Sequence, residues 1–215
     1  MKKDLTELVF ILDRSGSMAG LEGDTIGGYN ALLKKQKAEK GEALVTTVLF
    51  DDRIELVHDR INIKGVHPIT NKDYFVRGST ALLDAIGVSI GKAVNAHRHT
   101  AEEERPGKTL FVIITDGYEN ASHRFTFEKI REMVSLEQEK YGWEFLFIGA
   151  NMDAIDQAQR FGIRQDRAAT RHNDAQGTKV QYDALNKAVS SLRACSCVPE
   201  DWGEAIDQDF HGRSK

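Results

Sequence analysis

Three short segments combine carboxylate and hydroxyl side chains in a way that could bind a metal ion. The first is Asp13-x-Ser15-x-Ser17, which directly follows the apolar run from Leu8 to Leu12. A compact loop at the end of a strand can direct one carboxylate and two hydroxyls at a single point. Oxygen ligands of this kind suit a hard divalent cation, so the segment predicts a site for Mg²⁺ or Mn²⁺, with Mg²⁺ the natural candidate.

The other two segments carry Thr80 and Asp116. Thr80 stands at the expected start of a helix, and we expect its hydroxyl both to cap the helix and to bind the metal. Asp84, one turn further on, is expected to be a first-turn carboxylate favoured by the helix dipole. Asp116 follows the apolar strand Thr109–Thr115. Two apolar strands that both end in aspartate are expected to be parallel neighbours, with a ligand site at their carboxyl ends.

Taken together, the three segments resemble the metal-ion-dependent adhesion site of the von Willebrand factor type A (vWA) family. The resemblance extends over the order of elements from about residue 5 to residue 193. It implies that Ser15, Ser17 and Thr80 bind a metal directly, and that Asp13 and Asp116 bind it directly or through water. It also implies that one coordination position is left for an acidic residue of a partner protein.

The apolar pattern, together with the resemblance, predicts an α/β domain with a three-layer Rossmann-like vWA fold. We expect a mostly parallel central sheet of about six strands, one antiparallel edge strand and helices on both faces. Asp51-Asp52 is expected to be the turn into that edge strand and not a second cation site. A single domain is expected over 1–215, with its core over 5–193 and a tail over 194–215.

Within this domain, the first helix is expected to begin at Gly27 and the last helix to cover Thr178–Arg193. The tail shows no clear period, and we expect Trp202 and Phe210 to attach it to the body of the domain.

Five residues near the predicted ligands form the predicted rim of the site. Tyr118 and Glu119 lie in the loop after the second aspartate, where a plain solvent-exposed loop is equally consistent with the sequence. Arg14 and Arg124 would complement an acidic partner residue, although exposed charges are often only solvated. Met18 completes the rim.

Common catalytic patterns are absent or incomplete. A phosphatase with an aspartyl nucleophile would need an acid two residues after Asp13, where Ser15 stands. No Gly-x-Ser-x-Gly follows a strand, and no Gly-x-Gly-x-x-Gly occurs. Gly107-Lys108-Thr109 looks like the end of a P-loop, but Glu102 replaces the required first glycine. We therefore expect no enzyme; a metal-dependent phosphohydrolase and a structural protein with a merely stabilising metal site are the alternatives.

Composition narrows the classes of partner. The formal net charge is −4 and no basic stripe occurs, which argues against nucleic acid. No apolar run has the length of a membrane span, and Asp4 and Glu7 interrupt any signal sequence, so we expect a cytoplasmic protein without a membrane partner. Cys195 and Cys197 are too few for a disulfide framework and are expected to be ordinary thiols.

The expected function is therefore binding of a partner protein that supplies a carboxylate to the metal. The family resemblance further suggests a cytoplasmic adaptor beside an ATPase or within a stress-response or phosphorylation system.

Overall fold

A central sheet of six strands is covered by six α-helices in the computed structural model, which describes residues 1–213. The strands are β1 (Lys2–Asp13), β2 (Glu42–Phe50), β3 (Ile54–Asn62), β4 (Pro106–Thr115), β5 (Glu144–Ala150) and β6 (Ala168–Arg171). The helices are α1 (Glu22–Ala38), α2 (Leu82–Arg98), α3 (Phe127–Tyr141), α4 (Ala154–Arg160), α5 (Ala175–Cys195) and α6 (Glu204–Arg213).

The strands follow the order β3-β2-β1-β4-β5-β6. All neighbours are parallel except β2 and β3, which form an antiparallel hairpin at one edge. The predicted Rossmann-like three-layer fold with one antiparallel edge strand is confirmed. The two loops that leave β1 and β4 therefore lie next to each other in the middle of the sheet.

Alternation along the central strand separates the two apolar layers. Leu8, Phe10 and Leu12 of β1 face the layer that contains α1 and α5. Val9 and Ile11 face the opposite layer, which contains α2, α3 and α4. Because successive side chains of a strand point to opposite faces, one unbroken apolar run supplies both cores.

The largest differences from the predicted elements lie at two helices. The first helix begins at Glu22 rather than Gly27. The helix expected to be the last is followed by α6, which the sequence analysis did not predict. Trp202 is buried in the core and its indole N–H donates to the Asp166 carbonyl oxygen at 2.8 Å, as expected for a residue that attaches the tail. Residues 214–215 of the predicted tail lie outside the described residues.

That residues 1–215 form one domain, with its core over 5–193, stays a prediction. Among residues 1–213, none of the helices combines the length and the apolar character needed to cross a bilayer.

Two adjacent glycines in α1 provide a test of how closely α1 and α5 pack. A Cβ on Gly28 would lie 2.2 Å from the Tyr182 ring, whereas a Cβ on Gly27 would meet nothing within 4 Å. We expect Gly28→Ala to lower the free energy of unfolding by about 1–3 kcal/mol through overpacking. Gly27→Ala should raise it by about 0.5–1 kcal/mol, because alanine favours a helix. Urea unfolding of both variants measures the difference, and equal effects would contradict the described packing.

Candidate metal site

The candidate site lies where β1 and β4 end side by side at the carboxyl edge of the sheet. Leu12 pairs with Ile114 in the register of these two strands, so the loops that carry Asp13 and Asp116 start at the same level. The chain places β2 and β3 on one side of β1, and β4 to β6 on the other. The site therefore occupies the topological switch point, where open α/β sheets bind ligands.

Four side chains from three loops direct oxygen atoms at this point. The hydroxyl oxygens of Ser15 and Ser17 lie 3.0 Å apart, and the Ser17 hydroxyl donates a short hydrogen bond to Oδ1 of Asp116. A Cβ built on Gly117 would lie 3.2 Å from both Ser17 Oγ and Thr80 Oγ1, so these hydroxyls face the same small space. The structure brings these predicted ligands together, and metal binding itself stays a prediction.

Asp13 lies behind the two serines and is almost fully buried. Its Oδ1 accepts a hydrogen bond from the backbone N–H of Ser15 at 2.6 Å, and its Oδ2 accepts one from the Thr115 hydroxyl at 2.7 Å. The Tyr74 hydroxyl donates to the carbonyl oxygen of Asp13 at 2.5 Å. The first two bonds hold the carboxylate in one orientation, and the Tyr74 bond fixes the main chain that carries it.

The electrostatics of the two carboxylates fit a cation. Burial raises the pKa of Asp13 from 3.8 to about 6, and the nearby Asp116 adds to the effect. Burial also raises the pKa of Asp116. The Ser17 hydroxyl directs its hydrogen at Asp116, which leaves the lone pairs of the hydroxyl oxygen available to a metal. The donor set consists of oxygen atoms alone, so these residues fit Mg²⁺ or Mn²⁺.

A buried ion-pair cluster centred on Asp51 joins the serine loop to the segment that carries Thr80. Oδ2 of Asp51 accepts hydrogen bonds from Nε of Arg14 at 2.8 Å and from Nε of Arg77 at 2.7 Å. Two main-chain hydrogen bonds add to this link. The Arg77 N–H donates to the Arg14 carbonyl oxygen at 3.0 Å. The Ala81 N–H donates to the Asp51 carbonyl oxygen at 2.8 Å. The turn after β2 therefore sets the distance between two of the three loops.

Gly78 and Asn120 position Thr80. Gly78 has a φ of +66°, and a Cβ there would lie 2.5 Å from a carboxylate oxygen, so the turn requires glycine. The Thr80 N–H donates to Oδ1 of Asn120 at 2.9 Å, and the Asn120 N–H donates to the Thr80 carbonyl oxygen at 3.0 Å. The prediction that Thr80 caps the helix is wrong, because α2 begins at Leu82 and the residue before it is Ala81, which provides no side-chain cap.

The predicted rim needs one correction. Arg14 and Met18 are 0% and 1% exposed, so neither forms part of the surface. Arg14 is paired inside the protein with Asp51, and Met18 packs in the apolar core. Tyr118 and Arg124 are exposed in the loop after β4. Their contact with a partner stays a prediction.

Glu119, the remaining rim residue, is half-buried and uses its carboxylate inside the protein. Its Oε2 accepts a hydrogen bond from the N–H of Leu83 at 2.9 Å, in the first turn of α2. Its Oε1 accepts from the N–H groups of Ala121 and Ser122 at 2.9 and 2.6 Å. Glu119 therefore binds a free amide at the helix start and also folds its own loop.

Asp84 lies in the first turn of α2, as predicted, and has a further role that the sequence did not reveal. Its carboxylate accepts hydrogen bonds from the backbone N–H groups of His123, Arg124 and Phe125 at 2.9–3.0 Å. Asp84 thereby holds the loop after β4 against α2, next to the site.

β6 and the segment that follows it contribute two residues that were not predicted from the sequence. Arg171 is 1% exposed, and its positive charge partly offsets the effect of burial on the pKa of Asp116. Asn173 donates a hydrogen bond to Oδ2 of Asp116 at 3.2 Å. A fixed guanidinium here compensates part of the carboxylate charge. No local pattern marks either residue, because the short β6 approaches the site only through the order of strands.

Other candidate sites in the described chain are weaker. Among residues 1–213, no group of three or more His, Cys, Asp or Glu side chains is arranged to hold a metal. A Gly-x-Ser-x-Gly sequence occurs inside α2, where the Ser89 hydroxyl donates to the Ala85 carbonyl oxygen at 2.7 Å, and it is therefore no nucleophile elbow. Cys195 and Cys197 are exposed free thiols.

Comparisons of the sequence with family models and with curated proteins found no match. Solved structures do match. A von Willebrand factor type A protein from Catenulispora acidiphila is similar with a TM-score of 0.57 at 11% identity, over 88% of this chain and 43% of that chain. This chain has the vWA fold.

Two further structures are similar to this vWA fold. Proximal thread matrix protein 1 from the mussel byssus, with a zinc-occupied MIDAS motif, gives a TM-score of 0.56 at 15% identity, over 88% of this chain and 47% of that chain. The manganese-loaded Plasmodium vivax TRAP protein gives a TM-score of 0.53 at 17% identity, over 83% of this chain and 73% of that chain. The chain spans about half the length of the mussel and Catenulispora proteins.

Asp13→Asn tests the buried charge of the vWA site. Because burial raises the pKa of Asp13 to about 6, the ionised form destabilises the metal-free fold by about 3 kcal/mol. Asparagine keeps the shape and removes this charge. In EDTA, the variant should be more stable than wild type above pH 6, and its advantage should shrink toward pH 4. Urea unfolding across this range measures it, and a variant less stable at every pH would refute the assignment.

Asp51→Asn tests the cluster that joins the loops. The change leaves the fully buried Arg14 with only the half-exposed Glu55 as a partner charge, so we expect a loss of about 3 kcal/mol in the free energy of unfolding. Asp59→Asn is the matched control, since Asp59 forms an exposed ion pair with Lys92, and it should change stability by less than about 1 kcal/mol. Similar losses in the two variants would contradict the proposed role of the cluster.

Proposed function

We propose that the chain is a protein-interaction module that depends on a divalent metal. Asp13, Ser15, Ser17, Thr80 and Asp116 would hold Mg²⁺ or Mn²⁺ at the carboxyl edge of the sheet. The bound metal would supply a positive centre that accepts one further oxygen ligand, here a carboxylate of a partner protein. The observation that carries this proposal is the convergence of hydroxyl and carboxylate oxygens from three separate loops.

The exposure of the site supports a partner that binds from outside. The residues that hold the site from below are buried, whereas Gly16 and Ser17 are exposed on the upper side of the loop. Tyr118, with 52% of its surface exposed, and the exposed Arg124 stand in the neighbouring loop. An aromatic ring and a cation beside the site suit an acidic segment of a partner protein.

The metals of similar structures support a divalent cation. The mussel protein carries zinc in its MIDAS motif, and the Plasmodium protein was solved loaded with manganese. For this chain we propose Mg²⁺ as the working metal, because the donor set contains only oxygen and offers no soft ligand.

We propose binding rather than catalysis. Cavities of about 830, 460 and 330 Å³ open elsewhere on the described part of the chain, and the five predicted metal ligands do not line them. A site on an open edge is better suited to a protein surface than to an enclosed small substrate. A cytoplasmic adaptor beside an ATPase, or within a stress-response or phosphorylation system, is the role we propose for this binding.

Affinity capture from a lysate of the source organism tests the proposal. We expect a partner to be retained by wild-type bait in Mg²⁺ and lost in EDTA. Asp13→Ala bait should fail to retain it, because the carboxylate behind the serines is gone. Asp4→Ala is the matched control, since Asp4 is exposed near the opposite end of β1 from Asp13, and it should retain the partner.

Circular dichroism of each bait separates loss of the site from loss of the fold. Capture that is equal in EDTA, or equal with the folded Asp13→Ala bait, would contradict metal-dependent binding. Hydrolysis of p-nitrophenyl phosphate in Mg²⁺ or Mn²⁺, if abolished by Asp13→Ala, would favour a phosphohydrolase instead.

A further inference from the structure

A pocket opens at the amino-terminal end of β4, and the metal site lies at the opposite end of this strand. It has a volume of about 460 Å³, which lies within the range of small-molecule sites. The last turns of α2 and α3 and the first residues of β4 enclose it. β4 runs for ten residues from Pro106 to Thr115, so about 30 Å of strand separates this pocket from the predicted metal ligands. A ligand here would bind independently of the metal.

The apolar wall of this pocket consists of a buried aromatic ring packed on its neighbours and of exposed apolar side chains at the rim. Trp143 is 5% exposed, and its ring stacks on Phe111 with a centroid distance of 5.5 Å. His97 contacts the same indole edge-on at 5.2 Å. Leu136 and Tyr141 lie at the rim with about half of their surface exposed. The pocket therefore offers an aromatic floor held in place from behind and apolar side chains at its mouth.

Glu137 places an unpaired acceptor in this pocket. The residue is 3% exposed, and its Oε2 has no hydrogen-bond partner in the described part of the chain. A buried acceptor without a partner costs about 1–3 kcal/mol. The neighbouring His97 does not bond to this oxygen, because its Nε2 is hydrogen-bonded to Oε2 of Glu7 at 2.5 Å. A ligand that donates one hydrogen bond would remove this cost.

Three cations stand at the mouth of the pocket. Arg98, Arg105 and Lys140 line it, and within residues 1–213 none of them belongs to an ion pair. The exposed Glu102 is the one carboxylate that accompanies them at the mouth. The mouth is therefore net positive and suits an anionic group.

We propose that this pocket binds a small organic anion with an aromatic body and one hydrogen-bond donor. The donor bonds to Oε2 of Glu137, the ring packs against Trp143, and the anionic group lies between Arg98, Arg105 and Lys140. Aromatic carboxylates or sulfonates that carry an N–H or O–H group belong to this class.

The probe 4-hydroxybenzenesulfonate has all three features, with its hydroxyl donor and its sulfonate at opposite ends of the ring, and allows a direct test. In ¹⁵N-labelled protein, the indole N–H signals report Trp143 at the pocket and Trp202 in the apolar layer on the opposite face of the sheet. We expect saturable movement of the Trp143 signal and none of the Trp202 signal. The Trp143→Phe variant assigns the two signals.

Two variants on α3 show whether the described groups bind the probe. Glu137→Met removes the unpaired carboxylate and should weaken binding about tenfold, while the protein stays folded. Glu139→Met, two residues away on the exposed side of the helix, should leave binding unchanged. Equal affinity in both variants, or no saturable movement of the Trp143 signal at millimolar probe, would overturn the proposal. A change in stability without a change in affinity would mean that Glu137 has only a structural role, and would also overturn it.

Discussion

The site depends on one electrostatic constraint: two carboxylates, Asp13 and Asp116, are buried near each other at the ends of adjacent strands. Burial and mutual repulsion both favour their protonated forms. Hydrogen bonds from Thr115, Ser17 and the backbone oppose this effect only in part. A divalent cation that binds among these oxygens would remove the remaining cost, so the fold holds the residues in an arrangement that favours metal binding.

The surrounding structure keeps this arrangement in place. The parallel register of β1 and β4 fixes where the two aspartates leave the sheet. The buried pair of Arg14 and Asp51 then ties the serine loop to the turn after β2 and to the loop of Thr80. Breaking a buried pair of this kind is costly because it leaves an isolated charge in the interior. The paired charges of Arg14 and Asp51 thus hold in place the loops of a site whose carboxylates, Asp13 and Asp116, are available to a metal.

The sequence predicts the ligand residues because their spacing follows directly from the strands. Each aspartate follows a short apolar run that favours a buried strand, so the local pattern, together with the family resemblance, places it at the sheet edge. Arg14 shows where this reasoning fails. An arginine in a surface loop is usually solvated, and nothing near it indicates that Asp51, 37 residues away, buries it.

Other errors have the same physical origin. The role of Arg171 depends on the order of strands, which brings β6 toward Asp116 without any local signal. α6 was missed because its apolar positions show no clear helical period; it is held by contacts with β6 and α5. Thr80 does not cap α2, because the helix begins two residues later than Thr80 itself.

Diffraction from crystals grown in Mn²⁺ would show where the metal binds, because the anomalous signal arises from the metal itself. We expect one strong peak among Ser15, Ser17, Thr80 and Asp116, at about 2.2 Å from hydroxyl and carboxylate oxygens. A peak elsewhere on the chain, or none at this edge of the sheet in millimolar Mn²⁺, would contradict this expectation.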